Sequence, residues 1–279
     1  MRTAPSKLIP SSHSAVVERC RVHGQRCHPR KVPTLTIQVP TELRFLLPPA
    51  ARMGTVRVVA AVTDTVGHVV QAAGIPLTEL EGLELNGTPV PASTLAVDGN
   101  LGLHAMVRPQ GAPSPPRFLL DVHLGGLARR LRLLGLDAAY DPDADDPVLA
   151  KRAATENRVL LTQDRGLLCR RAVRAGALVR GAGTAAQLDD VLDRFAPPLA
   201  AWTRCISCGG LLEPASPQQV ASQLKPGTRR SYQHFARCTD CGQVYWRGAH
   251  RAGLEQVVTR AQEVVRCRLE SAGFASHLG

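Results

Sequence analysis

Residues 117–137 read RFLLDVHLGGLARRLRLLGLD, and this stretch decides the fold of the middle of the chain. It begins as a short apolar strand that ends in Asp121, and leucines then recur at helical spacing until Gly135 ends the predicted helix. Three more short apolar strands follow, with helical patterns between them. The last of these predicted helices runs from about Gly166 to Ala175. Regular alternation of strand and helix is typical of a parallel sheet covered on both faces, so we predict an α/β domain over residues 117–200.

Acidic residues stand where these predicted strands end. Asp121 and Asp164 end the first and third strands, and Asp146 begins the helix between them. Because the carboxyl ends of parallel strands share one crevice, the three carboxylates can meet although they are far apart in sequence. Carboxylates that meet repel each other unless a divalent cation lies among them, and Mg²⁺ or Mn²⁺ held in this way suits phosphate substrates. The pattern therefore predicts metal-dependent hydrolysis of a phosphodiester.

Each acid also has a purely structural explanation. An aspartate after a strand can cap a helix or begin a turn, and any one of the three, taken alone, is better explained in that way. Their combination favours the metal site, with Asp145 as the nearest rival to Asp146 as third ligand. An aspartyl phosphatase would need a second aspartate at position 123, which is histidine. The glycine-containing loop 181–186 fits a dinucleotide site poorly, because no later strand supplies a ribose-binding acid.

Four cysteines form two C-x-x-C pairs nearer the carboxyl terminus. Cys205 and Cys208 are separated by 29 residues from Cys238 and Cys241, and glycine follows each pair. Two such turns can present four thiolates tetrahedrally to Zn²⁺ with no open coordination position, so the spacing predicts a structural zinc site over residues 201–252. A redox dithiol is the rival interpretation, although one pair would suffice for it.

The segment before the α/β domain has a different pattern, with strand-like runs around a single helix. The helix is predicted from Thr65 to Ala73, and Asn86-Gly87 between apolar runs indicates a tight hairpin. This order resembles the ubiquitin-like β-grasp domain, an α+β fold, over residues 33–108. Four prolines within residues 109–116 predict a stiff linker. The strands predicted before the helix are Leu35–Val39, Leu43–Leu47 and Val56–Val62.

The chain of 279 residues has a formal charge of +11, which is unevenly distributed. Residues 1–32 hold seven basic residues and one acid, so we expect a flexible basic tail there. Arginine outnumbers lysine 30 to 4, a bias that codon usage alone can produce, so the charge does not identify a polyanionic partner. No apolar stretch is long enough for a membrane span or a signal peptide, and we therefore expect a cytoplasmic protein with no membrane partner. Residues 253–279 are predicted as a helix and tail, with the helix packed on the preceding domain.

Three motifs together resemble one family. Residues 119–137, the segment Asp146-Pro147-Val148-Leu149 and residues 160–165 are similar to the Mut-seven carboxy-terminal RNase family, and the likeness covers roughly residues 34–250. That family belongs to the PIN-like nucleases and is often preceded by a ubiquitin-like domain and followed by a zinc ribbon. The resemblance implies a ribonuclease that cleaves RNA with a divalent metal, held by the acids at Asp121, Asp146 and Asp164.

Two positions depart from the family pattern. Gly126 stands where the family usually has lysine, and Gln163 stands where it usually has arginine before the third acid. Both changes remove a positive charge near the site, so we expect phosphate binding either to be weaker or to rely on Arg129, Arg132 and Arg165.

The segment Val244 to His250 is also similar to the family's ribbon. Within it, Trp246 can stack on bases beside Arg247, or it can cover the small core of the ribbon, and both interpretations stay open. At the level of the whole chain the alternative to a ribonuclease is a non-catalytic RNA-binding or ribosome-associated module. The β-grasp domain adds the expectation of a protein partner.

Overall fold

The computed structural model of the protein describes residues 32–111, 116–246, 248 and 251–276. These residues form a five-stranded mixed sheet, a four-stranded parallel sheet, a three-stranded antiparallel sheet and a long helix near the carboxyl terminus. The predicted basic tail, apart from Val32, and residues 112–115 of the predicted linker lie outside these residues. Within them, no helix combines the length and the apolar character needed to cross a lipid bilayer.

The mixed sheet has one helix, as predicted for an α+β unit. Its strand order is β2-β1-β5-β3-β4, in which β1 and β5 are parallel and every other pair is antiparallel. Thr65 caps α1 by accepting a hydrogen bond from the amide of His68, and Asn86-Gly87 forms the predicted hairpin with both residues at positive φ. The elements are β1 (Thr34–Gln38), β2 (Thr55–Val59), α1 (Val66–Ala72), β3 (Leu80–Leu85), β4 (Thr88–Val90) and β5 (Gly99–Ala105).

One strand predicted in this unit is wrong. Residues Leu43–Leu47 do not pair in the sheet, and the chain forms a 3₁₀ helix over Thr41–Leu46 instead. Pro40 immediately precedes this 3₁₀ helix, and Pro48 lies two residues after its end. Proline cannot donate a hydrogen bond to a strand ladder. Leu43 and Leu46, three residues apart, both face the core, which is the spacing of a 3₁₀ turn.

The parallel sheet has the order β7-β6-β8-β9 and confirms the predicted strand-helix alternation. Its strands are buried on both faces. Phe118 and Leu161 contact the core that contains α2 and α5, whereas Leu119 and Leu160 contact the core that contains α3 and α4. Since the connections from β6 and β8 leave towards opposite faces, a crevice forms between the carboxyl ends of these two neighbouring strands. The elements are β6 (Arg117–Leu120), α2 (Gly125–Leu133), β7 (Asp137–Tyr140), α3 (Asp146–Thr155), β8 (Val159–Thr162), α4 (Arg165–Leu168), β9 (Gly176–Leu178) and α5 (Thr184–Phe195).

The helix after β8 is shorter than predicted. It ends at Leu168 rather than continuing to Ala175. Of residues 170–175 only Val173 is buried, so this segment has no continuous apolar face to hold a helix against the sheet.

The third sheet has the order β10-β11-β12 and carries the cysteine pairs at its ends. A separate small core lies beneath it, formed by Val220, Leu224, Phe235 and Val244. The long helix α8 packs on α5 through Val258, Ala261 and Val265, as predicted for the carboxyl-terminal helix. The elements are β10 (Leu212–Ala215), α6 (Pro217–Val220), α7 (Pro226–Ser231), β11 (Phe235–Cys238), β12 (Val244–Trp246) and α8 (Arg251–Ser276).

The mixed-sheet unit packs directly against the parallel-sheet unit. Buried residues of β1 and α1 belong to the same apolar cluster as Leu119, Leu160 and Leu178 of the parallel sheet. At the centre of this contact, Arg194 on α5 donates to Glu79 over 2.7 Å, and both side chains are only 2% exposed. The two units therefore share one core.

Candidate functional site

Asp121 and Asp164 lie at the carboxyl ends of the neighbouring strands β6 and β8. The backbone amide of Asp121 continues the ladder between these strands by donating to Leu161 over 3.0 Å. The side chain of Asp121 is almost fully buried, and its Oδ1 accepts a hydrogen bond of 2.6 Å from the amide of Val122. The structure thus brings together two of the three predicted acids at the crevice between β6 and β8.

Thr162 joins these two acids and was not predicted from the sequence. Its hydroxyl is fully buried, donates to Asp121 Oδ2 over 2.5 Å and accepts from the amide of Asp164 over 2.9 Å. One hydroxyl therefore orients the Asp121 carboxylate and fixes the backbone that carries the second acid. A threonine two residues before an acid, at the end of a buried strand, is the sequence signal for this role.

Asp164 also caps the short helix α4. Its Oδ1 accepts a hydrogen bond of 2.7 Å from the amide of Gly166, as a helix cap does. Oδ2 accepts no hydrogen bond from the described part of the chain, so capping leaves one oxygen available to a ligand. The structural and the functional interpretations of this residue are therefore compatible.

Asp146 lies on the same side of the sheet but is engaged elsewhere. The N-cap of α3 is Asp145, whose Oδ1 accepts from the amide of Val148 over 2.9 Å. Asp146 instead forms an ion pair of 2.9 Å with Arg170, in which both side chains are about two-fifths exposed. Over the residues that the structure describes, the four cysteines form a group of ligand atoms close enough for one ion, and the three aspartates do not.

The predicted arginines differ in what their guanidinium groups can reach. Arg129 is exposed on α2, and Arg165, next to Asp164, is exposed but donates to the backbone carbonyl of Leu46 in the mixed-sheet unit. Arg132 is buried and donates to the carbonyls of Ala138 and Ser207, so it joins the parallel sheet to the first cysteine turn and is not accessible to RNA. Arg247, the remaining candidate, lies outside the described residues.

The two positions that depart from the family pattern both have defined surroundings. A side chain at Gly126 would place its Cβ 2.8 Å from the hydroxyl of Thr184, at the start of α5. Gln163 donates through its amide to the carbonyls of Val179 and Gly181, at 3.3 and 2.9 Å. Gln163 therefore ties the end of β8 to the segment that follows β9.

The four cysteine thiols converge as the C-x-x-C spacing predicts. The sulfurs of Cys205, Cys208, Cys238 and Cys241 all lie within 4.8 Å of one another. Both turns have the same construction, since the glycine after each pair adopts a positive φ and a backbone hydrogen bond closes the turn. Four thiolates at this separation are compatible with a tetrahedral, structural zinc ion.

Tyr245 on β12 supports this cluster. Its hydroxyl lies 3.1 Å from the sulfur of Cys205. Burial opposes ionisation of Cys205, but the hydrogen bond from Tyr245 and those from nearby backbone amides outweigh it and lower the pKa of this thiol to about 6. Cys205 thus favours the thiolate form that a metal needs, whereas burial and the neighbouring thiols raise the pKa of Cys208 to about 12. The neighbouring Trp246 is 41% exposed, which leaves part of its ring open to stacking.

Comparison with known proteins identifies the two larger units. No curated protein and no solved structure matches the chain. The Mut7-C ubiquitin family matches residues 32–114, which include the whole mixed sheet, and the Mut7-C RNAse domain family matches residues 116–258. The second match covers more than half of the sequence and contains the acids, the cysteines and part of α8. The chain therefore belongs to the Mut7-C RNAse domain family and carries a Mut7-C ubiquitin domain in front of it.

Proposed function

We propose that this protein is a PIN-like ribonuclease that hydrolyses RNA phosphodiester bonds with Mg²⁺ or Mn²⁺. The observation that carries the proposal is the pair Asp121 and Asp164 at adjacent strand ends, held together by the buried hydroxyl of Thr162. Membership of the Mut7-C RNAse domain family supports RNA as the substrate. We call the edge of the parallel sheet that carries Asp121, Asp164 and Asp146 the acidic edge.

The acidic edge fits a divalent cation by its donor chemistry. Asp121 and Asp164 supply carboxylate oxygens from two fixed positions, and Oδ2 of Asp164 has no other partner in the described residues. Asp146 would complete the set of ligands by leaving its ion pair with Arg170 and binding the cation instead. The cost is small, because an exposed ion pair of this kind contributes only about 0–1 kcal/mol. When bound, the cation would activate a water molecule and offset charge that develops on the phosphate.

RNA would approach the acidic edge past exposed basic and aromatic groups. Arg129 lies on α2, which starts just after Asp121, and Arg165 directly follows Asp164. We assign phosphate contacts to these two residues and base stacking to Trp246, with Arg247 beside it. In this account the four cysteines bind a structural Zn²⁺ and form a zinc ribbon.

The proposal is tested by cleavage of a labelled RNA with Mn²⁺ or Mg²⁺, in the presence and absence of EDTA. Asp121→Asn and Asp164→Asn should abolish cleavage, whereas Asp143→Asn should not. Asp143 is an exposed acid in the loop before α3 that serves as matched control. Cleavage that persists in EDTA, or at an unchanged rate in both site variants, would show that the assignment is wrong.

A second candidate function is RNA binding without catalysis, as a ribosome-associated or other RNA-binding module. The observation that favours it is the ion pair between Asp146 and Arg170, which keeps the third acid away from the other two. Salt-sensitive RNA binding by the wild-type chain, with no turnover in any divalent metal, would support this alternative.

A further inference from the structure

A cavity of about 280 Å³ lies where the mixed sheet, α5 and α8 meet. We call it the junction cavity. Four arginines line it, together with two glutamates and three apolar residues. The apolar residues are Leu43 in the 3₁₀ helix, Ala105 at the end of β5 and Met106 after it. The volume of the junction cavity is at the lower end of the range of small-molecule sites, which suits a ligand of few atoms. The lining arginines are Arg108, Arg180, Arg194 and Arg268.

Two arginines that line the junction cavity hold buried guanidinium nitrogens without acceptors. Over the described part of the chain, three buried side-chain nitrogen and oxygen atoms have no partner, and all three lie at this junction. Two of them are guanidinium nitrogens of the lining, Nη2 of Arg108 and Nε of Arg180, and the third is the hydroxyl of Thr78 beside Glu79. A buried donor without an acceptor is costly, and since these nitrogens have almost no accessible surface, a ligand in the cavity would reach them only after the guanidinium groups turn towards it.

Among the described residues, Arg180 is also the one lining arginine with no carboxylate within ion-pair distance, although Asp190 and Glu79 lie near it. Arg108 and Arg268 pair with Asp193, and Arg194 pairs with Glu79. Arg180 instead stacks on Phe45, with its central carbon 4.4 Å from the ring centroid. Burial, and after it the nearby cation of Arg108, lower the pKa of Arg180 from its ordinary value, and the carboxylates of Asp190 and Glu79 offset only part of this effect.

The acids around the junction cavity are already occupied or lie at its rim. Glu79 accepts hydrogen bonds from Arg194 and from the amide of Leu178. Glu42 is exposed and forms part of the rim. Asp190 accepts from Arg108 and also from the backbone amide of Arg180. A water molecule can accept a hydrogen bond from Arg180 but carries no charge, whereas an oxyanion accepts a hydrogen bond and also brings negative charge.

The junction cavity lies beside the acidic edge. Gln163, which precedes Asp164, donates to the carbonyls on either side of Arg180, at Val179 and Gly181. Asp164 follows β8 and Arg180 follows β9, which is the next strand in the sheet. Neighbouring strands lie about 4.8 Å apart. The 3₁₀ segment of the ubiquitin domain touches both places, because Phe45 contacts Arg180 and Leu46 accepts from Arg165.

We propose that the junction cavity binds a phosphate group between Arg180 and Arg108. This chemistry is shared by inorganic phosphate, a mononucleotide and the phosphorylated end of an RNA. A guanidinium fork matches phosphate oxygens, and Arg108 and Arg180 reach the cavity from different parts of the chain. The identification of the ligand as an RNA end rests on the proposed function, since such an end would lie next to the acids that cut the chain.

The binding test uses the full chain in EDTA, so that no cleavage is needed. Sodium phosphate is titrated at constant ionic strength against a sodium chloride reference, and binding is measured by calorimetry and by the rise in Tm. Wild type should bind phosphate, and Arg180→Gln should bind it about tenfold or more weakly. Arg174→Gln, which removes an exposed arginine of the same unit, should bind within twofold of wild type. No binding by wild type, or equal binding by Arg180→Gln, would overturn the proposal.

A second measurement does not depend on how a variant folds. In the wild-type protein, phosphate should slow modification of Arg180 by a dicarbonyl reagent, read by mass spectrometry, and should leave Arg174 unaffected. Equal protection of both arginines, or protection of neither, would contradict the assignment.

Two RNAs that differ only at the 5′ end distinguish the sources of the phosphate. Tighter binding of the 5′-phosphorylated RNA than of the 5′-hydroxyl RNA, lost in Arg180→Gln, would identify an RNA end as the ligand. Equal binding of both RNAs, with inorganic phosphate still bound, would identify a free phosphate compound and exclude the RNA end. A chain that binds phosphate but cuts no RNA would refute the proposed function alone.

Discussion

Removal of Glu79 should destabilise the whole protein, because this residue joins the ubiquitin domain to the parallel-sheet unit. Oε1 of Glu79 accepts both from Arg194 Nη1 at 2.7 Å and from the amide of Leu178 at 2.9 Å. Glu79→Ala would leave the Arg194 cation 2% exposed with no counter-charge and would leave the Leu178 amide without an acceptor. Loss of one partner of a buried ion pair costs about 3–5 kcal/mol. For a chain of this size that corresponds to a fall in Tm on the order of 10 °C.

The matched control is Glu270→Ala on α8. Glu270 also pairs with an arginine, Arg266, but both side chains are more than 60% exposed, so its loss should change stability by less than about 0.5 kcal/mol. The combination of Glu79→Leu with Arg194→Met removes both charges at once. The free energy of unfolding should fall by about 2 kcal/mol less in that double variant than the sum of the losses in the two single variants, because neither charge is left unpaired.

Urea denaturation followed by circular dichroism measures all of these variants. We expect a single transition whose midpoint falls for Glu79→Ala, because the two units share one core. A change for Glu79→Ala as small as that for Glu270→Ala would show that the Glu79–Arg194 pair does not stabilise the contact between the two units. Two separate transitions, of which only the first shifts in Glu79→Ala, would also contradict the prediction, because the two units would then unfold independently.

Three further predictions concern the acidic edge and the cysteines. Thr162→Val removes the hydroxyl that donates to Asp121 and should cost about 2–4 kcal/mol in urea denaturation, whereas Thr162→Ser keeps it and should cost about 1 kcal/mol. Arg170→Gln frees Asp146 and should raise Mn²⁺ affinity up to about fivefold in calorimetry, and an unchanged or lower affinity would remove Asp146 from the ligand set. Cys208→Ser should reduce bound zinc from one ion per chain to well below one and lower Tm. Full zinc occupancy in this variant would contradict a four-thiolate site.

Features that depend on local sequence were predictable. The strand that ends in Asp121 and the helical leucine spacing after it indicated a β-α-β unit, because the periodicity of apolar residues is visible within each short segment. The turn at Asn86-Gly87 and the convergence of two C-x-x-C pairs likewise follow from backbone conformations that few other residues adopt. The error at Leu43–Leu47 arose because an apolar run has the same composition in a strand as in a 3₁₀ turn.

Features that depend on distant partners were not predictable. Glu79 and Arg194 are 115 residues apart, and neither has a spacing that marks it as half of a buried pair. Arg132 was predicted at the RNA surface because its charge was visible in the sequence, whereas its burial against the first cysteine turn was not. Asp146 was predicted correctly at the start of a helix, but its ion pair with Arg170 depends on where the loop after α4 lies.

Metal-dependent catalysis at Asp121 and Asp164 is tested by the rate of RNA cleavage by the wild-type chain and by Asp121→Asn and Asp164→Asn, in Mn²⁺ and after EDTA. We predict metal-dependent cleavage by wild type and a loss of at least about a hundredfold in each variant, because a metal-ligand charge contributes several kcal/mol to the transition state. Asp143→Asn should retain the wild-type rate. Equal rates for wild type and both site variants, or cleavage that EDTA does not stop, would contradict the account.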